Sequence, residues 1–279
     1  MAPASLSSVI QRHRAAFHPV VPFDPARGKL VRLDFTEKNS ALTPAAIADT
    51  ERFAAYINSI LQQQHAQYGI GGYDEHRTLY ARSQHFDHSL PAAGGEAARI
   101  ESDPQATGSQ PGGQPAQPQL TEPRRLHLGV DIWGPAGTKV MSPLDGIVHS
   151  FAFNNNDSDY GATLILTHNL EGESFHTLYG HLSLNSLKNL YEGKNIRKGD
   201  VIAEFGMRFE NGNWPPHLHF QLIKDMQGWK GDYPGVCKFS EREQWLDNCP
   251  DPDTILQMGQ YISNMNSQNS SPGQKTMPF

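Results

Sequence analysis

The chain has 279 residues, with 23 Lys and Arg against 29 Asp and Glu and a formal net charge of −6 at pH 7. Both signs are scattered, so the composition excludes a basic stripe for nucleic acid or for an anionic membrane surface. No stretch has the length of a membrane span, and residues 1–11 lack the apolar core of a secretory signal, so the chain as written is expected to be cytoplasmic, or periplasmic or extracellular if it is a mature form.

Residues 1–90 are expected to form an extension with one helix that packs on the remaining fold. An initial helical turn and then extended chain are predicted over residues 1–40. Thr43 can cap a helix that has Pro44 at its first position, and apolar residues recur at helical spacing to about Gln67. The glycines within residues 69–72 are expected to end this helix.

Three histidines, His76, His85 and His88, lie in the charged and aromatic stretch that follows. A second metal site is one interpretation of them. The sequence favours a plain polar loop instead, because no carboxylate or Cys completes a ligand set of known spacing.

In that polar loop, Tyr80 and Phe86 would pack on the core. Arg77 and Arg82 would then face solvent or a carboxylate. A third interpretation makes the segment one wall of a substrate groove, in which Arg77 or Arg82 binds a substrate carboxylate through a bidentate fork.

Residues 91–123 are rich in Ala, Gly, Gln, Pro and Ser and have almost no large apolar side chain. Such a tract cannot bury enough surface to offset the entropy of ordering, so a disordered insertion is predicted. Both flanks are assigned to the same folded unit, and the insertion is interpreted as a surface loop.

Short β runs separated by Gly and Pro follow, and residues 184–190 are expected to form a short helix. Their spacing favours a mainly β fold with an antiparallel sandwich or barrel. The runs Gly-Ile-Val from Gly146 and Lys-Gly-Asp-Val-Ile-Ala from Lys198 resemble the half-barrels that carry lipoyl and biotinyl groups, so the core is expected to be a sandwich or half-barrel with a duplicated hybrid motif. Strands are predicted at 138–142, 145–153, 161–168, 174–181, 201–206 and 217–224.

Five polar residues of this β region resemble parts of one metal site. His127 and Asp131 stand four apart, and His217 and His219 stand two apart, so the second pair points to one face of a strand. His181 follows a Gly at the end of a period-two apolar run. Imidazole and carboxylate are zinc ligands, and three of them leave a fourth position for water.

In this order, His-x-Gly-x-Asp, Tyr-x-His-Leu and His-Leu-His-Phe resemble the lysostaphin/LytM-type zinc endopeptidases, which hydrolyse peptide crosslinks of bacterial cell walls. The resemblance covers a core at residues 124–225. It implies one catalytic zinc ion bound by His127, Asp131 and His219, with His181 and His217 as catalytic histidines and a peptide or peptidoglycan as the substrate.

The chain departs from the family pattern beside the His-x-His. Residues 213–216 read Asn-Trp-Pro-Pro where relatives usually have small residues and Gly, and Gln221 stands where an acidic residue is common. The groove beside the metal is therefore expected to be reshaped, and cleavage of the family's glycine-rich or D-amino-acid crosslinks is less well supported than hydrolysis itself.

The chemistry that the resemblance implies is attack by a metal-activated water, because zinc lowers the pKa of its water from about 15.7 to roughly 7. Either His217 or His181 can shuttle the proton, and either can donate a hydrogen bond to the developing oxyanion. An alternative is a non-catalytic module that binds wall fragments or a partner.

A further alternative is an accessory domain that docks through Trp229, Tyr233 and Trp245 in a C-terminal extension at residues 226–279, which is expected to fray after about residue 258. Two cysteines, Cys237 and Cys249, are interpreted as buried thiols outside any zinc site. Three other histidines are interpreted as satisfied structural residues: His149, His168 and His176.

Overall fold

The computed structural model describes residues 5–88, 90 and 122–262. The predicted insertion at 91–123 lies outside the described residues except for its last two positions. The chain end beyond residue 262, for which fraying is predicted, also lies outside them.

The described chain is mainly β, as predicted, and its strands agree with all six predicted ones to within a few residues. In chain order they are β1 (Leu30–Leu33), β2 (Tyr68–Gly71), β3 (Glu75–His76), β4 (Leu126–His127), β5 (Val130–Trp133), β6 (Lys139–Met141), β7 (Gly146–Asn154), β8 (Gly161–Leu170), β9 (Glu173–Leu182), β10 (Asn195–Ile196), β11 (Val201–Glu204), β12 (His217–Ile223) and β13 (Val236–Cys237).

Eight of these strands form one sheet in the order β1-β2-β5-β12-β9-β8-β7-β10. Every pairing in it is antiparallel except that of β1 with β2, which confirms the predicted antiparallel character. Two small sheets, β11-β6 and β13-β4-β3, complete the described strands. The duplicated half-barrel arrangement stays a prediction.

The N-terminal residues contribute more than an extension with one helix, because β1 and β2 are strands of the large sheet and β3 pairs with β4. The sequence did not predict these strands. The glycines at 69–71 were expected to end a helix and instead form β2. A Cβ at Gly69 would lie 2.5 Å from Leu33 Cδ1, so the missing side chain lets β1 pack closely against β2.

The helix predicted from Pro44 to about Gln67 is two helices. Its start is confirmed, since the Thr43 side chain accepts a hydrogen bond from the backbone N–H of Ala46. Asp49 then leaves the helical region, with φ −97° and ψ 110°, and its carboxylate caps a second helix. The helices are α1 (Leu6–Arg12), α2 (Pro44–Ala48), α3 (Thr50–Gln63), α4 (Arg242–Asn248) and α5 (Asp253–Leu256).

Short 3₁₀ turns connect several of these elements. One of them, Leu184–Leu187, takes the place of the short helix predicted at residues 184–190. None of the helices in the described part of the chain has both the length and the apolar character needed to cross a membrane.

An aromatic cluster joins α3 to the large sheet. The ring centroids of Phe35 and Phe53 lie 5.4 and 5.7 Å from that of Trp133, which lies in β5 and is almost fully buried. Such tilted and edge-on contacts add to the burial of the rings. The N-terminal helices therefore support the strand that carries Asp131.

The C-terminal aromatic residues pack on the protein's own core. Tyr233 is fully buried, and Trp229 and Trp245 lie partly buried against the same cluster, which also contains Cys237 and Cys249. This removes the exposed aromatic surface on which the docking interpretation depended. Both cysteines are buried and free, as expected.

The burial of His168 makes the stability of this fold depend on pH. Its Nδ1 lies 2.8 Å from the carbonyl oxygen of Asp145, its Nε2 lies 2.7 Å from Oγ1 of Thr177, and burial lowers its pKa to about 4. An unfolded His titrates near about 6.5, so between these values the unfolded state binds more protons. The contribution of His168 to stability is complete above about pH 6.5 and decreases as the pH falls toward about 4.

We therefore expect His168→Gln to reduce the acid sensitivity of the free energy of unfolding over this pH range, an effect on the order of 3 kcal/mol at most. Urea denaturation of both proteins at several pH values measures it. The same substitution at the exposed His76 is the control. An unchanged pH slope in His168→Gln would contradict the assignment.

Candidate metal centre

The register between β5 and β12 places two of the predicted ligands side by side. Asp131 is directly opposite His219, and Trp133 is directly opposite His217. On the other side of β12, the pairing of His219 with Gly180 in β9 brings the next residue, His181, to the same region. His217 and His219 therefore share one face of β12, as their spacing predicted.

The third predicted ligand comes from β4, which lies between β3 and β13. Three ligand atoms converge: His127 Nε2 lies 2.9 Å from His219 Nδ1 and 3.3 Å from Asp131 Oδ1, and His219 Nδ1 lies 3.1 Å from Asp131 Oδ1. All three residues are buried. Zinc binds such atoms at about 2.0–2.2 Å in tetrahedral sites, for which ligand-to-ligand separations of about 3.3 Å are expected. The residues present therefore fit a zinc ion.

Hydrogen bonds at the far side of each ring decide which imidazole nitrogens are unprotonated. Nδ1 of His127 donates to the carbonyl oxygen of Gly72 at 2.8 Å, which leaves its Nε2 as a lone pair when the ring is neutral. Nε2 of His219 lies 2.9 Å from Oε1 of Gln221, whose amide nitrogen donates to the carbonyl of Pro234. His219 thus donates from Nε2 and directs the lone pair of Nδ1 at the other two ligand atoms.

Charge and burial keep the ligands in the forms that bind metal. Burial, together with the charge of Arg77, lowers the pKa of His127 to about 3, so the ring is neutral near pH 7. Burial alone would raise the pKa of Asp131, but its interactions with His127 and with the charged Arg77 outweigh burial and hold this pKa well below its ordinary value. The site therefore presents a carboxylate at Asp131 and a neutral ring at His127.

The two predicted catalytic histidines lie beside this cluster. The ring centroids of His181 and His217 are 4.1 Å apart, and that of His181 is 6.4 Å from that of His219. Nδ1 of His181 donates to Asn211 O at 2.8 Å, and Nδ1 of His217 donates to Pro215 O at the same distance. Both rings therefore keep Nε2 available for proton transfer.

Burial also lowers the pKa of both rings, to about 4 for His217 and well below the ordinary value for His181. His217 stacks on Trp133, with centroids 3.8 Å apart and planes 8° apart. His181 has a φ of 62°, a left-handed conformation that is uncommon outside glycine and clusters at functional sites. The surrounding structure thus holds both rings firmly.

Arg77 differs from its predicted role. It is fully buried, and its Nη1 donates to Oδ2 of Asp131 at 2.5 Å while its Nε donates to Glu75 at 2.8 Å. The expected carboxylate partner therefore exists, but it belongs to the metal cluster, so Arg77 faces neither solvent nor a substrate carboxylate. Arg82 contacts Thr50 Oγ1 and lies 4.4 Å above the ring of Trp214.

A cavity of about 680 Å³ opens over Asp131, His181, His217 and His219. Its lining includes Leu79, Tyr80 and Phe86, as in the groove-wall interpretation, and also Trp214. Trp214 is buried between the Arg82 guanidinium and the edges of His181 and His217. The departure at residues 213–216 therefore does shape the space beside the candidate metal centre.

A second metal site is not formed among the described residues, where only His127, Asp131 and His219 bring three ligand atoms together. The sequence missed two contributors to the centre. The carbonyl of Gly72 has no sequence signal, and Tyr160, whose hydroxyl lies 3.3 Å from Nε2 of His219, follows a polar loop that showed none either.

Comparison with known proteins yields one matching family model, Peptidase family M23, at residues 125–231. A DD-carboxypeptidase/endopeptidase Mpg from Neisseria meningitidis serogroup B is 35% identical over 97 residues, which are 35% of this chain and 20% of that protein. An uncharacterized metalloprotease from Haemophilus influenzae is 29% identical over 152 residues, 54% of this chain and 30% of that protein. This chain thus spans less than a third of either relative.

Solved structures also match. The catalytic domain of lysostaphin from Staphylococcus simulans is 23% identical, with a TM-score of 0.31, and the match covers 43% of this chain and 80% of that one. A zinc-containing peptidase from Vibrio cholerae is 28% identical, with a TM-score of 0.30, and the match covers 39% of this chain and 32% of that one.

Gly129, the glycine of His-x-Gly-x-Asp, packs against His219, so a substitution there tests the geometry of the candidate metal centre. A Cβ at Gly129 would lie 2.5 Å from Cε1 and 2.6 Å from Nε2 of His219, so the imidazole must move if a methyl group is added. We expect Gly129→Ala to weaken zinc binding by about 10- to 100-fold, as changes that disturb ligand orientation do. Competition with a chromophoric chelator measures this affinity, and unchanged binding would show that the site tolerates the displacement.

Proposed function

This chain carries a domain of peptidase family M23 at residues 125–231, and we propose that it is a zinc-dependent endopeptidase that hydrolyses peptide bonds in peptidoglycan crosslinks or related peptides. The observation that carries the proposal is the convergence of three ligand atoms beside a cavity whose lining includes two further histidines. The family assignment supports hydrolysis of peptide bonds, and the ligand set supports a metal.

In this proposal His127, Asp131 and His219 hold one zinc ion. Two imidazoles and a carboxylate suit zinc, and three protein ligands leave one position open. When bound there, the ion supplies a Lewis-acidic centre that lowers the pKa of water toward neutrality.

His181 and His217 serve the proton transfers and the developing charge. Nε2 of one ring takes a proton from the attacking water and returns one to the leaving amine. The other ring donates a hydrogen bond from Nε2 to the oxyanion that forms from the peptide carbonyl. Because its Nδ1 proton is bonded to a backbone carbonyl, it does so as the doubly protonated imidazolium, which the developing negative charge favours. Both Nδ1 atoms are fixed on backbone carbonyls, so either ring can take either role.

The substrate class is inferred from the meningococcal relative, which is named a DD-carboxypeptidase/endopeptidase. The cavity of about 680 Å³ also has aromatic side chains in its lining, among them Tyr80, Trp214 and Trp229. Trp214 narrows the space beside His181 and His217, so we expect a different choice of scissile bond from that of relatives with small residues at this position.

The metal is tested directly. We expect the purified protein to contain about one zinc ion per chain, and His127→Ala or Asp131→Ala to lose most of it, because each removes one of three ligands. Elemental analysis after dialysis measures occupancy, and circular dichroism checks that the variants fold. A folded wild-type chain that retains no metal would contradict the proposal.

The catalytic histidines are tested separately from the metal. We expect His217→Ala and His181→Ala to keep zinc and to lower turnover by about 10²- to 10⁴-fold, the range attributed to general acid–base catalysis. Release of fragments from purified sacculi and from short crosslink peptides measures turnover. Binding without cleavage by the zinc-loaded wild type would instead favour the non-catalytic module.

A further inference from the structure

We propose that Arg77 is a positioning residue for the metal centre, and that residues 72–77, which lie outside the family-matched segment, orient two of its three ligands. This inference rests on the proposed function, because it concerns the same site. It assigns a role to a part of the chain for which the family match gives none.

Arg77 fixes the orientation in which Asp131 presents its carboxylate to the metal. Its Nη1 donates a hydrogen bond to Oδ2 of Asp131 at 2.5 Å, while Oδ1 faces the ligand nitrogens of His127 and His219. Without a partner on Oδ2, the carboxylate would be free to rotate about the Cβ–Cγ bond and turn its oxygens away from the two ring nitrogens. The charge-assisted bond from Arg77 fixes that rotation.

Arg77 is itself held rigidly. Its Nε donates to Glu75 Oε2 at 2.8 Å, its Nη2 donates to Gly72 O at 2.9 Å, and its guanidinium carbon lies 5.2 Å from the ring centre of Phe35. A long side chain can orient a neighbour only when its own conformation is fixed by other contacts. These contacts fix it from three directions.

The carbonyl of Gly72 connects Arg77 to a second ligand. It accepts from Arg77 and also from Nδ1 of His127 at 2.8 Å. A carbonyl oxygen has two lone pairs, and both are used here. A displacement of residue 72 would therefore move His127 and the support of Asp131 together.

The geometry requires an arginine and not merely a positive charge. Separate nitrogens of the planar guanidinium reach Asp131, Glu75 and the carbonyl of Gly72, and Nη1 also lies 3.2 Å from the hydroxyl of Tyr80. A lysine ammonium is a compact group with three donors and cannot span these acceptors. Arg77→Lys thus preserves the positive charge and removes the planar set of donors.

The experiment compares Arg77→Lys and Arg77→Met with the same two substitutions at Arg82. Arg82 contacts Thr50 and Trp214 and none of the three ligands. Zinc affinity is measured by chelator competition. The visible spectrum of the cobalt-substituted proteins reports coordination geometry, and thermal melting of the metal-free proteins reports stability.

We expect Arg77→Lys to weaken zinc binding by about 10- to 100-fold, the cost typical of groups that support metal ligands, and to alter the cobalt spectrum. Arg82→Lys should change neither. Equal affinity and identical spectra for Arg77→Lys and the wild type would overturn the positioning role and leave the proposed function intact. A wild type that binds neither zinc nor cobalt would overturn the proposed function instead.

Since Arg77 is buried, its variants could fail to fold without metal. In that case Glu75→Gln is the decisive variant, because it keeps Arg77 and weakens the hydrogen bond that Nε of Arg77 donates to residue 75. We expect it to reduce zinc affinity in the same direction but by less, with a cobalt spectrum shifted toward that expected for the Arg77 variants. An affinity and spectrum equal to those of the wild type would overturn the inference.

Discussion

The candidate centre depends on the convergence of three ligand atoms in a buried place. His127 Nε2, Asp131 Oδ1 and His219 Nδ1 lie within 3.3 Å of one another, and all three residues are buried. Buried acceptors without donors are costly. A divalent cation bound there would convert this cost into a favourable interaction, and the strands bring together the ligand atoms that could hold it.

The arrangement arises from ordinary sheet geometry. The register of β5 with β12 sets Asp131 opposite His219, and the alternation of side chains puts His217 on the same face. Backbone carbonyls then select the tautomers of His127, His181 and His217. The orientation of these three rings is therefore fixed by main-chain atoms, whose positions are held by the strands and by the turns between them.

The grouping of His127, Asp131 and His219 was expected from the resemblance of three sequence motifs to a known family, and strand periodicity predicted that His217 and His219 share one face. The remainder depended on contacts between distant segments. The sequence shows that Arg77 is charged but not that Asp131 is its partner. Gly72 contributes only a backbone carbonyl, which every residue has. Gly69 was interpreted as a helix terminator, because its close packing against Leu33 becomes visible only once β1 and β2 pair.

The groups that surround the candidate ion are spread from Gly72 to Gln221, so they meet only after the N-terminal segment and the β core have come together. An ion that binds this assembled state and not the unfolded chain shifts the folding equilibrium by mass action, by about 2.7 kcal/mol when its free concentration is one hundred times the dissociation constant. The supply of free metal would then govern the abundance of intact protein as well as its chemistry.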